Sequence, residues 1–345
     1  MRPRLLLAAL LVCGALAVLV ATSVDIDGGA GKAQASTAHA STLAGGCGTA
    51  AGAQATLAVY TSAALRIYEG ELRGGEVAAD AAHVRESAQL LAALASGSSA
   101  AVQEAVHAIV YTPRWHIVRL RVLSHGQVLA DVGGPYIVAP VTGTLRLHGR
   151  TLGTYVMSVQ DDVGYVKLVT RFIGAPVDLY RGGAPLMGTL EPAPARAASV
   201  SPVHVSGRAY AEQELTLKAF PAGTLQAAIF APQPPASASC SSLTLAAWGQ
   251  VARHVAARFN GQLAAHYQDL ADIVHTLTGG HVFVREGSGK LVGGPRPARI
   301  PATGSVRYAG RTWPVYSWQP SPGVRVYFLT PGAPPASTLV APAGG

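Results

Sequence analysis

A segment that occurs twice constrains this chain more than any other feature. Gly133-Gly134-Pro135 returns as Gly293-Gly294-Pro295. Ten or eleven residues on, Gly143–Thr151 (GTLRLHGRT) returns as Gly304–Thr312 (GSVRYAGRT), and Tyr155 then answers to Tyr316. The strand-turn-strand Arg121–Leu129 corresponds to Phe283–Leu291, and the apolar stretch Gly164–Thr170 corresponds to Gly323–Thr330. Matching order at matching spacing predicts two copies of one fold unit.

Each copy reads as helix first and sheet second. In the second, Val251, Val255, Phe259, Leu263, Tyr267, Leu270, Val274 and Leu277 recur at three or four residues. They make one apolar stripe, on a helix of about 55 Å at about 1.5 Å per residue unless Asn260-Gly261 bends it. In the first, Leu57, Tyr60, Ala64, Ile67 and Leu72 form the stripe. Gly74-Gly75 interrupts it, and helices near 78–95 and 99–110 follow. Pro113 ends the helical part, because proline disfavours helix at the residue before it. Strands are predicted at 115–123, 127–132, 143–149, 152–160 and 163–172, joined by turns such as His125-Gly126 and Asp161-Asp162, hence antiparallel. Between the copies, Val177–Tyr180 and Val203–Val205 read as short strands, and 219–225 as a turn into a strand at 226–230. The expected organisation is therefore a signal or anchor segment at 1–24 and a Gly/Ala/Ser-rich linker at 25–46. A first domain with a short β extension follows at 47–232, a Pro-rich linker at 233–239, a second domain at 240–332 and a disordered tail at 333–345.

Arg2 and Arg4 precede an apolar run from Leu5 to Ala21. A positive segment followed by such a run directs export, and the arginines keep the N-terminus in the cytoplasm. The run serves either as an uncleaved anchor, the favoured reading, or as a signal cleaved near Ala21-Thr22-Ser23 to leave a secreted protein. In both cases the body lies outside. Of three cysteines, Cys13 sits in the run, while Cys47 and Cys240 each stand just before a long helical segment. In an oxidising compartment these two are natural disulfide partners, against the alternative of two unrelated buried thiols.

A long helix followed by an antiparallel sheet with a Gly-turned hairpin, on an exported chain, resembles the Cache family of PAS-like extracytoplasmic sensor domains. The likeness is strongest in 115–172, in Val128–Gly134 followed by Gly143 and Gly149–Gly153, and weaker in 281–330. The resemblance implies an α+β chain of two PAS/Cache-like units, each a long N-terminal helix packed on an antiparallel sheet. It also implies a small polar ligand bound on one side of a sheet. Each unit has its own helix, which points to tandem single modules. The chain closes on Ala341-Pro-Ala-Gly-Gly345 without a second apolar run, so any signal needs an unknown protein partner.

The formal net charge is +8, yet only 13% of residues are charged, and the charge is uneven. Residues 281–345 carry Arg285, Lys290, Arg296, Arg299, Arg307, Arg311 and Arg325 against Glu286 alone, a net +6. Export argues against nucleic acid as their partner, whereas anionic lipid or wall polymers suit them. Glu286–Lys290 (EGSGK) lacks phosphate-loop spacing and aligns with a hairpin turn. The eleven histidines are dispersed without a metal-binding pair, and no GxSxG occurs, so neither a metal, a cofactor nor catalysis is expected. Strand alternation supplies the ligand candidates. Arg119 and Arg121 share a face of the first strand, Tyr165, Lys167 and Arg171 share a face of the last, and Tyr155 lies on its neighbour. Four cations and two phenols on one face can hold a carboxylate or phosphate; the bland alternative is a solvated polar face. The expectation is a membrane-anchored extracytoplasmic module, sensor-like and non-enzymatic, that binds a small anionic or polar metabolite. The alternative is a non-catalytic structural or interaction protein of the cell envelope.

Overall fold

The computed structural model describes residues 47–194, 202–289, 291–293 and 299–334. The Leu5–Ala21 run and most of the expected tail lie outside them. The chain is α+β, and its helices lead. Helix α1 (Thr49–Arg73) is followed by α2 (Gly75–Glu86), α3 (Ala88–Ser96) and α4 (Ser99–Val110). The predicted stripe of α1 is the buried one, with Leu57, Tyr60, Ala64 and Ile67 in the core. Gly74 closes the helix by donating its N–H to the Gly70 carbonyl (2.7 Å). Ser87 and Ser98 cap α3 and α4, each accepting a backbone N–H three residues on.

The first sheet holds β1 (Arg119–Ser124), β2 (Gln127–Gly133), β4 (Val141–Leu147) and β5 (Arg150–Ser158), in the order β2-β1-β5-β4. The long connection between β2 and β4 contains β3 (Ile137–Val138), and β6 (Gln160–Asp161) follows β5. Both short strands leave the first sheet and join the second.

Helix α5 (Asp162–Ile173) corrects a prediction, for the fifth strand at 163–172 is a helix. The Asp161 carboxylate caps it by accepting the Gly164 N–H (2.6 Å). Gly174 ends it in the left-handed region at φ 71°. Buried Tyr165, Val166, Val169, Phe172 and Ile173 follow a helical period. The alternation read from Tyr165, Lys167 and Arg171 therefore does not define a face: Tyr165 turns into the core, while Lys167 and Arg171, one turn apart, lie together on the exposed side of α5. The match of Gly164–Thr170 to Gly323–Thr330 also pairs a helix with a strand.

The second sheet is built from β7 (Val177–Arg181), β8 (Ala184–Gly188), β9 (Val203–Val205), β10 (Arg208–Phe220) and β11 (Gly223–Pro232), extended by β3 and β6. Its path is β6-β3-β10-β11-β7-β8, and β9 pairs with the other end of β10. Helices α6 (Cys240–Ala257) and α7 (Tyr267–Thr278) then lead into the third sheet. The second unit's long helix is thus two, broken where Asn260 (φ 47°) and Gly261 (φ 82°) take left-handed conformations. The third sheet comprises β12 (His281–Glu286), β13 (Leu291–Val292), β14 (Gly304–Tyr308), β15 (Arg311–Ser321) and β16 (Val324–Leu329). Its order is β13-β12-β16-β15-β14.

Two units were expected and three sheets are present. Numbered within its own unit, the third sheet runs 2-1-5-4-3. The middle sheet, from β8 through β7, β11 and β10 to β9, follows the same order. The first sheet is a four-stranded version in which β5 takes the place beside β1 that β16 takes beside β12. The segments Gly143–Thr151 and Gly304–Thr312 are both hairpins. His148-Gly149 (φ 50° and 80°) and Ala309-Gly310 (φ 48° and 76°) make the same two-residue turn, with both φ positive.

One core joins α1, α5, α6 and α7 to the middle and third sheets, through Leu215, Leu217 and Ile229 on one side and Val284, Val326 and Phe328 on the other. A second fills the space between α2–α4 and the first sheet, with Leu120, Val122, Leu145, Tyr155 and Met157 buried there.

Candidate functional site: a groove where the first two sheets meet

Residues β3 and β6 carry into the middle sheet, so the chain crosses between sheets beside the β10–β11 turn. A groove of about 600 Å³ opens there, lined by Pro135, Tyr136, Arg181, Gly182, Pro221, Ala222, Thr224 and Gln226. One wall is the connection after β2, and the other is the β10–β11 turn with the end of β7.

The polar groups in the groove come from both walls. Arg181, exposed at the end of β7, donates a hydrogen bond to the Tyr136 hydroxyl and lies over its ring (5.1 Å to the centroid). It makes no ion pair with a described residue. Gln226 stands on β11 between Tyr180 and Thr216 in register. Its side-chain oxygen is buried without a hydrogen-bond partner. A buried acceptor left unpaired costs about 1–3 kcal/mol, and Gln226, which also lines the groove, regains that energy if its side chain turns outward to meet a ligand's donor there. A guanidinium, a phenol, a hydroxyl (Thr224) and an unpaired amide oxygen together suit a small anionic or polar molecule that also carries a hydrogen-bond donor.

Behind the walls sit two of the predicted ligand residues. Arg119 and Arg121 do share one face of β1, and both close on Asp131 of β2. Arg119 reaches it through Nε and Nη2 (both 2.8 Å), and Arg121 through the same two nitrogens (2.9 and 2.5 Å). The three side chains are 12%, 25% and 21% exposed, in the order Arg119, Arg121, Asp131. Burial pushes the Asp131 carboxyl up, but the hydrogen bonds and charges of the two arginines outweigh it and hold it below the usual carboxylate range. Arg119 Nη1 also donates to the carbonyls of Gly134 (3.0 Å) and Pro135 (2.5 Å). Both guanidinium carbons lie over the Phe220 ring, at 4.8 and 4.2 Å.

The other four predicted residues lie elsewhere. Tyr155 pairs with Val122 in register, which puts it on the opposite face of the sheet from Arg119 and Arg121. It is buried under α2, its hydroxyl 3.4 Å from both the Ala81 carbonyl and Arg85 Nη1. Tyr165 is buried against α1 and donates to the Ala64 carbonyl (3.3 Å); burial pushes its hydroxyl far up. Lys167 and Arg171 are exposed on α5. Tyr136, Arg181 and Gln226 were not predicted. The only sequence signal is that Tyr136 and Arg181 stand beside Gly133-Gly134 and Gly182-Gly183; Gln226 stands inside β11 without one, and nothing local links the three.

Asp178 of the middle sheet is fully buried, yet accepts the backbone N–H groups of Thr189 (2.7 Å) and Leu190 (3.1 Å), which fasten the segment after β8. Among the described residues no three His, Cys, Asp or Glu side chains gather as a metal site. Nor is any described helix long and apolar enough to cross a membrane. Cys47 and Cys240 are disulfide-bonded, with Cα atoms 5.2 Å apart, joining the start of α1 to the start of α6.

No protein-family model matches the chain, and no curated protein matches it. Among solved structures, the crystal structure of the periplasmic domain of Vibrio cholerae LuxQ aligns with 54% of this chain and 100% of that chain. Sequence identity is 13% and the TM-score 0.32, too loose a likeness to place any residue of the groove.

Proposed function

We propose that this chain is an extracytoplasmic, sensor-like binding module that takes a small anionic or polar ligand in the groove between its first two sheets. The carrying observation is that Gln226, whose side-chain oxygen has no hydrogen-bond partner, lines the same groove as Arg181. The ligand's anionic group meets Arg181 and Tyr136, and its donor meets Gln226. The reading is non-enzymatic and uses no cofactor: the groove offers recognition groups, and output passes to a protein partner. The Cys47–Cys240 disulfide supports an oxidising compartment, in line with the export signal read from Arg2, Arg4 and Leu5–Ala21. That apolar run anchors the body to the membrane or, if cleaved, releases it.

A thermal-shift panel of hydroxy acids, keto acids, amino acids, nucleotides and inorganic phosphate tests this. A ligand at a hundred times its Kd stabilises by about 2.7 kcal/mol. At least one compound is expected to raise the melting temperature, and Arg181→Ala and Gln226→Leu to abolish the rise. No shift with any compound would sink the reading. One observation favours a second reading, a structural or interaction protein of the cell envelope. The space between the first sheet and α2–α4 is packed with apolar side chains. A silent panel would favour it.

A further inference from the structure

We propose that Arg119, Arg121 and Asp131 are positioning residues that hold the two walls of the groove in register and seat the first sheet on the second. The inference rests on the groove being the ligand site and says how that site is kept in shape. One guanidinium reaches both walls. Arg119 fixes the first by donating to the Gly134 and Pro135 carbonyls, immediately before Tyr136. It touches the second by stacking on Phe220, the residue before Pro221 and Ala222. Arg121 adds a second cation over the same ring.

Asp131 makes the arrangement possible. Two guanidinium groups on one ring repel each other, and a single carboxylate bonded to both offsets that repulsion while fixing their planes. Backbone pairing closes the circuit, because Phe220 pairs with Ile137 and Ala219 with Val138, within a few residues of Tyr136. A change in groove width therefore strains contacts made by the first sheet. That gives ligand occupancy a physical route to the placement of the first sheet, through a contiguous set of charge-assisted bonds.

Hydrogen exchange read by mass spectrometry on the ligand-free full chain is the test. Asp131→Asn keeps the shape and removes the charge; Arg119→Lys keeps the charge and removes the fork; Phe220→Leu keeps an apolar side chain and removes the ring. In all three, amides of 134–138 and of 220–226 are expected to exchange faster together, by about tenfold, with α6 and the third sheet unchanged. Three results would overturn the inference: acceleration confined to the mutated wall, acceleration spread equally to α6 and the third sheet, or none. Arg119→Lys behaving as the parent chain would also overturn it, since charge alone would then suffice. No ligand is used, so a silent thermal-shift panel defeats the binding reading without deciding this result.

Discussion

Removing the Cys47–Cys240 bond is expected to cost this chain a large share of its stability, and the size follows from chain length. The bond closes a loop whose ends are 193 residues apart. On the loop-entropy relation, such a cross-link lowers the entropy of the unfolded chain by about 18 cal/mol/K, or about 5 kcal/mol at room temperature. Domains are stable by roughly 5–15 kcal/mol, so the loss takes a third or more of the total. The folded state has little reason to change, because the helix starts are held by other contacts. Cys47 donates its N–H to the Ala238 carbonyl (2.8 Å), and Gly52 sits so close to Leu243 that a Cβ there would lie 2.7 Å from a methyl carbon. The perturbation is the Cys47→Ser/Cys240→Ser double variant, which avoids mixed disulfides. Urea unfolding followed by the fluorescence of the four tryptophans reports on it, since Trp248 on α6 and Trp313 on β15 are buried. The midpoint should fall, and the slope with denaturant should rise, because an unlinked chain expands further when unfolded. A loss under about 1 kcal/mol with an unchanged slope would refute the reasoning, for it would mean the unfolded chain is not restrained by the cross-link.

Two further outcomes follow from single buried groups. Asp80 on α2 is 3% exposed; its carboxylate accepts the His116 backbone N–H, but one of its oxygens has no partner, and burial pushes its pKa up. A raised carboxyl pKa means the folded state prefers the protonated form, so the parent chain is penalised above the folded value and relieved as pH falls towards 3.8. Asp80→Asn is expected to stabilise by about 1 kcal/mol at pH 7, with the gain vanishing by about pH 4; a variant less stable at every pH, in urea melts, would contradict this. At Gly249 on α6 a Cβ would lie 2.5 Å from the Tyr316 ring. Gly249→Ala should destabilise by about 1–3 kcal/mol despite alanine's better helix propensity, and a calorimetric gain would show that the ring moves freely.

What could be read from the sequence was local. The two-residue turns carry glycine where φ is positive, so the hairpins stood out, and the cysteines announced themselves by standing before helices. Helix α5 did not, because Gly164–Thr170 satisfies a strand pattern as well as a helix pattern. The Asp161 cap and Gly174 decide between them. Strand β10 was missed because its outward residues are polar and close-set (Glu212, Glu214, Lys218), while Leu215 and Leu217 alone signal its buried side. Arg119 and Arg121 were placed on the right face with the wrong partner. Asp131 reaches them only because β1 and β2 pair with Arg121 opposite Asp131, a register that sequence spacing does not reveal. The groove was invisible for a stronger reason: its lining comes from three stretches that only the folded topology brings together.

The three sheets share a strand order but use their outer faces differently, and this bears on where the proposed groove lies. In the third sheet that face carries Phe283, Trp313 and Tyr327, buried with Ile300, and Arg285 and Arg311 lie over Tyr327 and Trp313. In the middle sheet, Tyr180 and Phe230 are buried beside Asp178, which spends one oxygen on backbone N–H groups. In the first, the face is taken by the Arg119–Asp131–Arg121 cluster under Phe220. Apolar burial or internal pairing thus satisfies most of what each face offers. The Gln226 oxygen, unpaired among the described residues, and the Arg181 cation, without an ion pair among them, belong to residues of one groove, where the first sheet's connection passes the end of the middle one. The shared strand order therefore supplies the scaffold, and the groove proposed for the ligand lies at a junction that neither sheet builds alone.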